Sequence, residues 1–447
     1  MVLTECIKFI KQKKLYPEKL LCNMQLVEKL KRRPSNPDSN IYWGLSDYSK
    51  LVTPLQNKHL PVYRWYSFKH SFSRNLVHGL IESLNLTGND VILDPFCGAG
   101  TTLLACKEMG IRSIGLDLMP LSVLISNTKI ENYSIKKVVH FLENLNEPHP
   151  SVVDMNNSLL KISKYFPHGN LETALSLRDF IEEINDHQTK ILFRTALMSI
   201  MDEISYARKD GAFVRLIKNK KTLETVDAFR RKVFLFMEDI PFLNSLPKTL
   251  SRARLGDARN TKIPDSSISA VITSPPYPNR HDYTRIYYLE LMIGFYRDYE
   301  EIKKLRYELI RSHVEARAKY KSVGYEQPQE LSMIVDKLKA KNLPNRNVIG
   351  LVEGYFEDMH IFLAEMRRVL KNNGNLCIVI GDSRYGGISV PAGEIVIEIA
   401  KNLEFELVRN AFARDKGNSP QQMGAFGKVL SKESIITLRK CDCKNRD

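Results

Sequence analysis

The chain has 447 residues, of which 43% are hydrophobic, and a formal net charge of +15 from 66 Lys and Arg against 51 Asp and Glu. Its length allows roughly two to four domains and a large core, and its apolar runs are too short to cross a membrane. The basic balance favours a polyanionic partner, and nucleic acid is the first class to consider.

The cysteines and the opening residues bear on the cellular compartment. The seven cysteines are scattered without the spacing of a disulfide framework. The opening residues lack the long apolar core and the small-residue cleavage site of a signal peptide. We therefore expect a protein of the reducing cytoplasm with no membrane segment, and no set of side chains has the spacing that predicts a metal site.

Strand and helix patterns alternate along much of the chain and are interrupted twice. Turn-forming Pro, Gly and Asn residues mark the loops, and these loops place the two interruptions between strands of one sheet. The predicted organisation is a helical basic N-terminal region (1–60), three parts of one α/β core (61–130, 251–283 and 346–447), a helical insertion without a clear strand (131–250) and a basic insertion (284–345).

A strand, a glycine loop and a helical pattern follow one another near residue 90. Asn89–Asp94 is a short apolar run, and the loop after it contains Gly98 and Gly100. This order opens a nucleotide-type βαβ unit, whose glycines let backbone N–H groups approach a ligand closely. The next strand, Ile111–Asp117, ends in an acid, and a carboxylate at that position commonly accepts hydrogen bonds from a ribose diol.

A second loop reads Thr273-Ser-Pro-Pro-Tyr277 and follows the β-branched run Ile268–Ile272. Because two prolines end the strand, we expect a rigid turn at the carboxyl end of a buried strand, where open α/β sheets carry their chemistry. The turn offers the Ser274 hydroxyl and the Pro275 carbonyl as acceptors, with Tyr277 as an aromatic face. Two acceptors beside a stacking face suit the exocyclic amino group of a planar base.

Both insertions carry clusters of basic residues. The first groups Arg208, Lys209 and Arg215, and the second has seven Lys or Arg against two Glu between Lys303 and Lys321. Such clusters are typical of a surface that follows a phosphate backbone, although an exposed amphipathic helix explains the second almost as well.

The two loops together resemble the S-adenosylmethionine-dependent amino-methyltransferases of DNA. Those enzymes carry an Asp-Pro-Phe-x-Gly-x-Gly cofactor loop, matched here by 94–100, and a (Ser/Asp/Asn)-Pro-Pro-(Tyr/Phe) catalytic loop, matched by 274–277. The Ser form resembles the N4-cytosine branch, whereas Asp or Asn is usual in N6-adenine enzymes. The resemblance covers roughly residues 63–130 and 252–440, and it implies a Rossmann-like α/β sheet with helices on both faces and largely helical insertions.

The resemblance also implies roles for individual residues. The segment before the glycine loop would close over the methionine part of S-adenosylmethionine, and Asp257 would accept from its adenine amino group. The implied cofactor-binding residues are Lys69, Phe72, Asp94, Pro95, Phe96, Cys97, Gly98, Gly100, Thr101, Asp117, Leu118, Asp257 and Ala258. The implied catalytic residues are Ser274, Pro275, Pro276 and Tyr277, and the candidate nucleic-acid contacts are Arg208, Lys209, Arg215, Lys303, Lys304 and Arg306.

The sequence therefore predicts a site-specific methyltransferase that modifies the N4 of cytosine in double-stranded DNA, with Tyr277 stacking on a flipped base. A restriction-modification system with a cognate endonuclease is the expected setting, and the first insertion is the candidate target-recognition region. The cofactor loop precedes the catalytic loop, unlike the permuted order common among N4-cytosine enzymes, so N6-adenine or RNA base methylation stays open. A non-catalytic nucleic-acid-binding protein on the same fold is the alternative from another class.

Overall fold

The computed structural model describes residues 48–145, 156–211, 213–417 and 430–441. The three strands predicted at 89–94, 111–117 and 268–272 each lie within two residues of a described strand. The described strands are β1 (Val91–Asp94), β2 (Arg112–Asp117), β3 (Ala207–Asp210), β4 (Phe213–Leu216), β5 (Arg252–Leu255), β6 (Ile268–Thr273), β7 (Leu370–Gly381), β8 (Ser383–Tyr385), β9 (Ile388–Val390), β10 (Phe405–Gly417) and β11 (Leu430–Lys440).

Seven of these strands form one mixed sheet in the order β10-β11-β7-β6-β1-β2-β5. Strands β5, β2, β1, β6 and β7 pair in parallel, and β11 pairs antiparallel with both β7 and β10. The central strand β6 is buried along its whole length, as expected for a parallel strand covered on both faces. The predicted Rossmann-like α/β fold class is therefore confirmed.

The helices begin and end with ordinary capping signals. Ser73 accepts a hydrogen bond from the Asn75 N–H at the start of one helix, and Pro120 occupies the first turn of another. The described α-helices are α1 (Tyr48–Leu51), α2 (Arg74–Ser83), α3 (Thr101–Glu108), α4 (Pro120–Ile130), α5 (Ile135–Glu143), α6 (Asn157–Ser163), α7 (Asn170–Glu182), α8 (His187–Ser199), α9 (Thr225–Ser245), α10 (Tyr283–Ile286), α11 (Tyr288–Gly294), α12 (Tyr299–Glu308), α13 (Gln329–Lys339), α14 (Asn347–Val369) and α15 (Ala392–Asn402).

Helices bury the two faces of the sheet in separate hydrophobic clusters. Ile272 of β6 lies in a cluster with Leu76 and Leu80 of α2. Its neighbour Val271 lies in the cluster that contains Phe356 of α14. Adjacent residues of one strand thus point to opposite faces, which fixes the register of β6 and the position of the loop that follows it.

The first insertion is not purely helical. Strands β3 and β4 pair as an antiparallel hairpin within it, so the prediction of no strand was wrong there. Each strand is only four residues long, and Ala-Arg-Lys-Asp lacks the β-branched enrichment that marks a strand in sequence. The insertion also shares a hydrophobic cluster with Trp65 and with Leu121 of α4, so its core is continuous with the sheet domain.

Residues 1–47 of the predicted basic N-terminal region lie outside the described residues. Its described remainder contains α1 and a 3₁₀ turn at Gln56–His59. None of the helices in the described ranges is long and apolar enough to span a membrane.

Candidate active site

A pocket with about 690 Å³ of empty volume lies at the carboxyl ends of β1, β2, β5 and β6. It brings together nine of the seventeen residues predicted for cofactor binding and catalysis: Pro95, Phe96, Gly98, Asp117, Leu118, Asp257, Ala258, Ser274 and Pro276. The lining residues Phe68 and His70 belong to the segment that was expected to close over the methionine part, although neither was singled out. Sequence reasoning did not assign the lining residues Met119, Ser122, Gly256, Leu309, Ile310 and Ser312 to the site. The two predicted loops therefore face one common cavity.

The glycine loop after β1 is shaped by close packing against α4. Gly100 has φ +71°, and a Cβ there would lie 2.8 Å from the Cα of Ser126. Gly98 has φ +46° and donates its N–H to the Asp117 carboxylate at 3.0 Å. Glycine is thus required at 100 by both conformation and space, and the loop holds its backbone at the pocket edge.

Asp94 lies beneath the loop and does not line the pocket. Its carboxylate accepts hydrogen bonds from the hydroxyls of Thr102 (2.6 Å) and Thr273 (2.7 Å) and from the Phe96 N–H (3.2 Å). Burial raises its pKa to about 6. The expected direct contact with the methionine end is therefore corrected: Asp94 positions the glycine loop relative to β6.

Two further loop residues predicted to bind the cofactor support the loop from behind. Cys97 is buried, and its N–H donates to the Leu116 carbonyl at 2.9 Å. The Thr101 hydroxyl lies 3.0 Å from that of Ser71. Neither residue lines the pocket, since Cys97 is buried and Thr101 is the first residue of α3.

Asp117 at the end of β2 is the acid that faces the pocket. One carboxylate oxygen accepts from the Gly98 N–H and the other from the Met119 N–H at 2.8 Å. Burial raises its pKa to about 6, against the opposing effect of these N–H donors. Each oxygen keeps a further lone pair, so the carboxylate suits the diol of a ribose.

Asp257, which follows β5, is held differently. The Arg259 guanidinium pairs with it at 2.9 Å, and the Lys319 ammonium lies at 3.4 Å. These hydrogen bonds and charges outweigh burial and lower the pKa of Asp257. Asp257 and Ala258 line the same pocket as Asp117, so the acids from two adjacent strands fit the two ends of an adenosine group.

The segment before the glycine loop contributes Phe68 instead of Phe72. The Phe68 ring stacks on Tyr287 with centroids 4.8 Å apart and lines the pocket. Phe72 is 5% exposed and shares a core cluster with Val77. Phe72 precedes the helix cap Ser73, so the hydrophobic-staple pattern was the signal that placed it in the core.

Lys69 also departs from its predicted role. Its side chain is exposed and does not line the pocket, whereas its backbone N–H donates to the Tyr287 hydroxyl at 3.0 Å. Lys69 therefore helps to hold the segment of Phe68 in place.

In the catalytic loop, the Ser274 hydroxyl has two acceptors for its proton, the Val379 carbonyl at 3.1 Å and the Tyr277 hydroxyl at 3.4 Å. Because either bond uses that proton, the Ser274 oxygen is left as an acceptor, and Ser274 lines the pocket. Tyr277 donates its hydroxyl to Glu433 at 2.8 Å, and its ring packs against the core. Tyr283 lines the pocket in its place, so the expected aromatic wall at Tyr277 is corrected to Tyr283.

Two of the predicted DNA contacts are internal ion pairs. The Lys209 side chain is 9% exposed and pairs with Glu290, between the rings of Tyr66 and Tyr287. The Arg306 side chain is 3% exposed and pairs with Asp282 at 2.8 Å. A charge neutralised inside the protein cannot also neutralise a phosphate, so both are removed from the candidate DNA contacts.

The other predicted contacts are more accessible. Lys303 is half-buried and pairs with Glu300 at 3.2 Å, whereas Lys304, Arg208 and Arg215 are exposed. Only these four of the six remain candidates for contact with nucleic acid.

Comparison with known proteins agrees with the pocket. Residues 4–127 match a family model described as DNA methylase. The chain is 31% identical to the type II methyltransferase M.BsoBI of Geobacillus stearothermophilus, with 88% of each chain covered. It is 30% identical to the type II methyltransferase M.AvaI of Anabaena variabilis, covering 88% of this chain and 89% of the relative.

Two further matches are more distant. The type II methyltransferase M.MvaI of Kocuria varians is 20% identical over 93% of this chain and 97% of its own. Among solved structures, TrmN of Thermus thermophilus is 10% identical, covers 82% of this chain and 48% of its own, and has a TM-score of 0.30.

The sheet and its pocket are those of an S-adenosylmethionine-dependent methyltransferase. Within that class, the chain belongs to the N6/N4 DNA methylase family of type II methyltransferases. The predicted cofactor, S-adenosylmethionine, and the DNA substrate are thereby confirmed. The residues that fit the cofactor are the lining residue Gly98, where no side chain obstructs the pocket, and the carboxylates of Asp117 and Asp257, which offer acceptors for hydroxyl and amino donors.

Proposed function

We propose that the protein methylates the exocyclic N4 of cytosine in double-stranded DNA. The observation that carries the proposal is the Ser274 hydroxyl at the edge of the cofactor pocket, whose proton has acceptors within the protein, the Val379 carbonyl at 3.1 Å and the Tyr277 hydroxyl at 3.4 Å. A neutral acceptor of this kind, next to the Pro275 carbonyl, suits an amino group with two N–H bonds. The resemblance of Ser-Pro-Pro-Tyr to the N4-cytosine branch supports cytosine over adenine.

The two acceptors would act on the shape of the amino nitrogen. In free cytosine the lone pair of that nitrogen is delocalised into the ring and is a poor nucleophile. Hydrogen bonds to Ser274 and Pro275 favour a pyramidal nitrogen, whose lone pair then points toward the pocket. Bound S-adenosylmethionine would supply an electrophilic methyl group there. The nitrogen lone pair would form the new N–C bond as the S–C bond breaks with its electron pair left on sulfur, and the methylated nitrogen would then release one N–H proton to water. Positioning and electrostatics supply the acceleration, without a covalent intermediate.

The base that is modified can be read directly from the product. DNA from cells that express the protein should contain N4-methylcytosine, measured by mass spectrometry of its nucleosides. DNA from cells that express Ser274→Ala at the same level should contain little. Accumulation of N6-methyladenine, or of a methylated base in RNA alone, would contradict the proposal and identify one of the alternatives.

We also propose that the protein is the modification component of a type II restriction-modification system. The names of the relatives and their near-complete coverage support this setting. Plasmid DNA recovered from expressing cells should resist one sequence-specific endonuclease in a panel and remain sensitive to the others. Cleavage by every endonuclease of the panel, despite detected base methylation, would contradict a single protected site.

A further inference from the structure

A buried carboxylate lies beneath the catalytic loop and belongs to neither predicted loop. Glu433 on β11 is 2% exposed and accepts the hydroxyl proton of Tyr277 at 2.8 Å. Arg414, which lies opposite Glu433 in the pairing of β10 with β11, donates to the other carboxylate oxygen at 2.5 Å. Burying a charge is costly even when the charge is paired, so a carboxylate at this position points to a function.

The sheet topology brings this carboxylate to the active edge. Ser274 follows β6, β7 is the parallel neighbour of β6, and β11 pairs antiparallel with β7 through Glu433 and Gly381. An antiparallel strand begins where its parallel neighbours end, so Glu433 near the start of β11 reaches the same edge as Ser274. Glu433 is 156 residues from Tyr277 in sequence, and no local pattern marks it.

The hydroxyl protons of the loop point away from the pocket and toward the carboxylate. Tyr277 has one hydroxyl proton, and Glu433 accepts it. Desolvation of the hydroxyl and the charge of Glu433 raise the pKa of Tyr277, so the phenol keeps this proton. The Tyr277 oxygen therefore acts toward Ser274, 3.4 Å away, as an acceptor. The Ser274 oxygen keeps its lone pairs for a ligand in the pocket.

Loss of the carboxylate would reverse this direction. A desolvated hydroxyl without its acceptor is costly, and the Ser274 oxygen offers the Tyr277 proton an acceptor 3.4 Å away. A hydrogen bond from Tyr277 would then occupy a lone pair of Ser274. The amino group of a base would meet a weaker acceptor at the edge of the pocket.

The loop has other contacts that maintain its shape. Pro275 and Pro276 restrict their own φ angles, and the Tyr385 hydroxyl donates to the Pro278 carbonyl at 2.5 Å. The ring of Tyr277 also packs against the core. What the buried carboxylate adds to these contacts is the direction of a proton.

We propose that Glu433 is a positioning residue for methyl transfer: by accepting the Tyr277 proton, it keeps the Ser274 oxygen an acceptor for the amino group of the target base. The proposal deepens the proposed function and rests on it, because it requires Ser274 to accept from that amino group. Arg414 holds Glu433 in this role through the second carboxylate oxygen.

The test measures methyl transfer from labelled S-adenosylmethionine to unmodified genomic DNA, with kcat and KM determined separately. Glu433→Leu should lower kcat by about tenfold, which is part of the loss expected without the Ser274 oxygen, and leave both KM values near those of the parent. Glu433→Gln should keep most of the rate, because its amide oxygen can still accept from Tyr277.

Glu406→Leu is the matched control on the same pair of strands. The Glu406 side chain is 60% exposed on β10 and pairs with Arg439, so this variant loses the same charge without touching the catalytic loop. It should keep the kcat of the parent.

The deciding variant combines Glu433→Leu with Tyr277→Phe. If the loss in Glu433→Leu comes from the Tyr277 proton, removing that proton should restore most of kcat. A purely structural role predicts the opposite, because two lost contacts should be at least as harmful as one. A double variant as slow as Glu433→Leu would overturn the proposal, and so would a parental kcat in Glu433→Leu itself.

Urea unfolding and calorimetry with S-adenosylmethionine show whether each variant is folded. If Glu433→Leu does not fold, Glu433→Met, which is closer to Glu in length, carries the same comparison with the same two outcomes. The Arg414 side chain is 31% exposed, so water can solvate it in either variant.

Mass spectrometry of the product separates this proposal from the proposed function. N6-methyladenine together with a restored double variant would contradict the proposed function alone. N4-methylcytosine with a double variant that stays slow would contradict the role of Glu433 alone.

Discussion

The two halves of the pocket hold their acids in opposite ways. In the cofactor half, formed by the loops after β1 and β2, Asp94 and Asp117 accept hydrogen bonds from hydroxyl and N–H groups, which are neutral. In the target half, formed by the loop after β6 and residues 282–319, Asp282 pairs with Arg306. Asp257, at the boundary of the two halves, pairs with Arg259.

This difference shows which charges a ligand can use. Burial raises the pKa of Asp117 to about 6, whereas Arg259 and its neighbours lower that of Asp257. The carboxylate of Asp117 keeps its charge for a ligand that donates hydroxyl groups. Several cations of the target half, namely Arg306, Arg311 and Lys319, pair with carboxylates of the protein, so the local count of Lys and Arg there overstates the charge available to phosphate.

The largest expected effect is on stability in the target half. Arg306→Ala removes the buried cation of Asp282 and leaves it only the half-exposed Arg285 at 3.3 Å, so we expect the free energy of unfolding to fall by about 3 kcal/mol. Lys304→Ala, an exposed change on the same helix, should alter it by less than about 0.5 kcal/mol. Urea unfolding measures both, and equal stabilities for the two variants would contradict the internal role of Arg306.

The next largest expected effect is on the rate of methyl transfer. Ser274→Ala removes an acceptor that is used mainly in the transition state, so kcat should fall on the order of 10²–10³-fold while cofactor affinity stays near that of the parent. Ser267→Ala, at the other end of β6, is the matched control and should keep full activity. Unchanged turnover in Ser274→Ala would remove that residue from the catalytic group.

In the cofactor half, Asp117→Ala should weaken S-adenosylmethionine binding by about 1.5–3 kcal/mol, because a charged hydrogen-bond acceptor is lost. Asp90→Ala, at the amino end of β1, should leave the binding isotherm unchanged. Calorimetry compares the two. A wild-type isotherm for Asp117→Ala would make that acid a structural turn residue.

The smallest effect is a dependence on pH. Hydroxyl donors favour the ionised form of Asp117, so cofactor affinity should fall as the pH drops below about 6, by at most about tenfold per pH unit. Because the folded pKa is raised, ionised Asp117 costs folding stability above pH 6, and this cost disappears as the pH falls toward the unfolded value. Asp117→Asn should show weaker and flatter binding, and an unchanged pH profile would contradict the assignment.

Much of the fold could be predicted because buried parallel strands are short apolar runs that end in marked loops. The apolar run Ile268–Ile272 ends at two prolines, and a glycine loop follows Asp94. These two patterns predicted both sides of the pocket. The hairpin at 207–216 could not be predicted, since its strands are held by tertiary contacts of Lys209 and not by intrinsic strand preference.

The same distinction, between local sequence pattern and tertiary packing, applies to the residues of the site. Asp117, Asp257 and Ser274 end strands, and strand ends converge on one edge of a sheet whatever the loops do. Phe68 lies in an irregular segment and Tyr283 begins the four-residue helix α10, so the direction of each side chain depends on packing. The internal partners of Arg306 and Lys209 are likewise distant in sequence or on other elements, and charge counts along the chain do not reveal them.

The carboxylate of Asp94 has a consequence for transplanting this chemistry into other proteins. It accepts from Thr102 at the start of α3 and from Thr273, the residue just before Ser274. The two loops are thus held to one another through a side chain instead of through their order in the sequence. A designer who grafts the catalytic loop onto another sheet must transfer Asp94, Thr102 and Thr273 together, because the hydrogen bonds of Asp94 hold the two loops in their relative position.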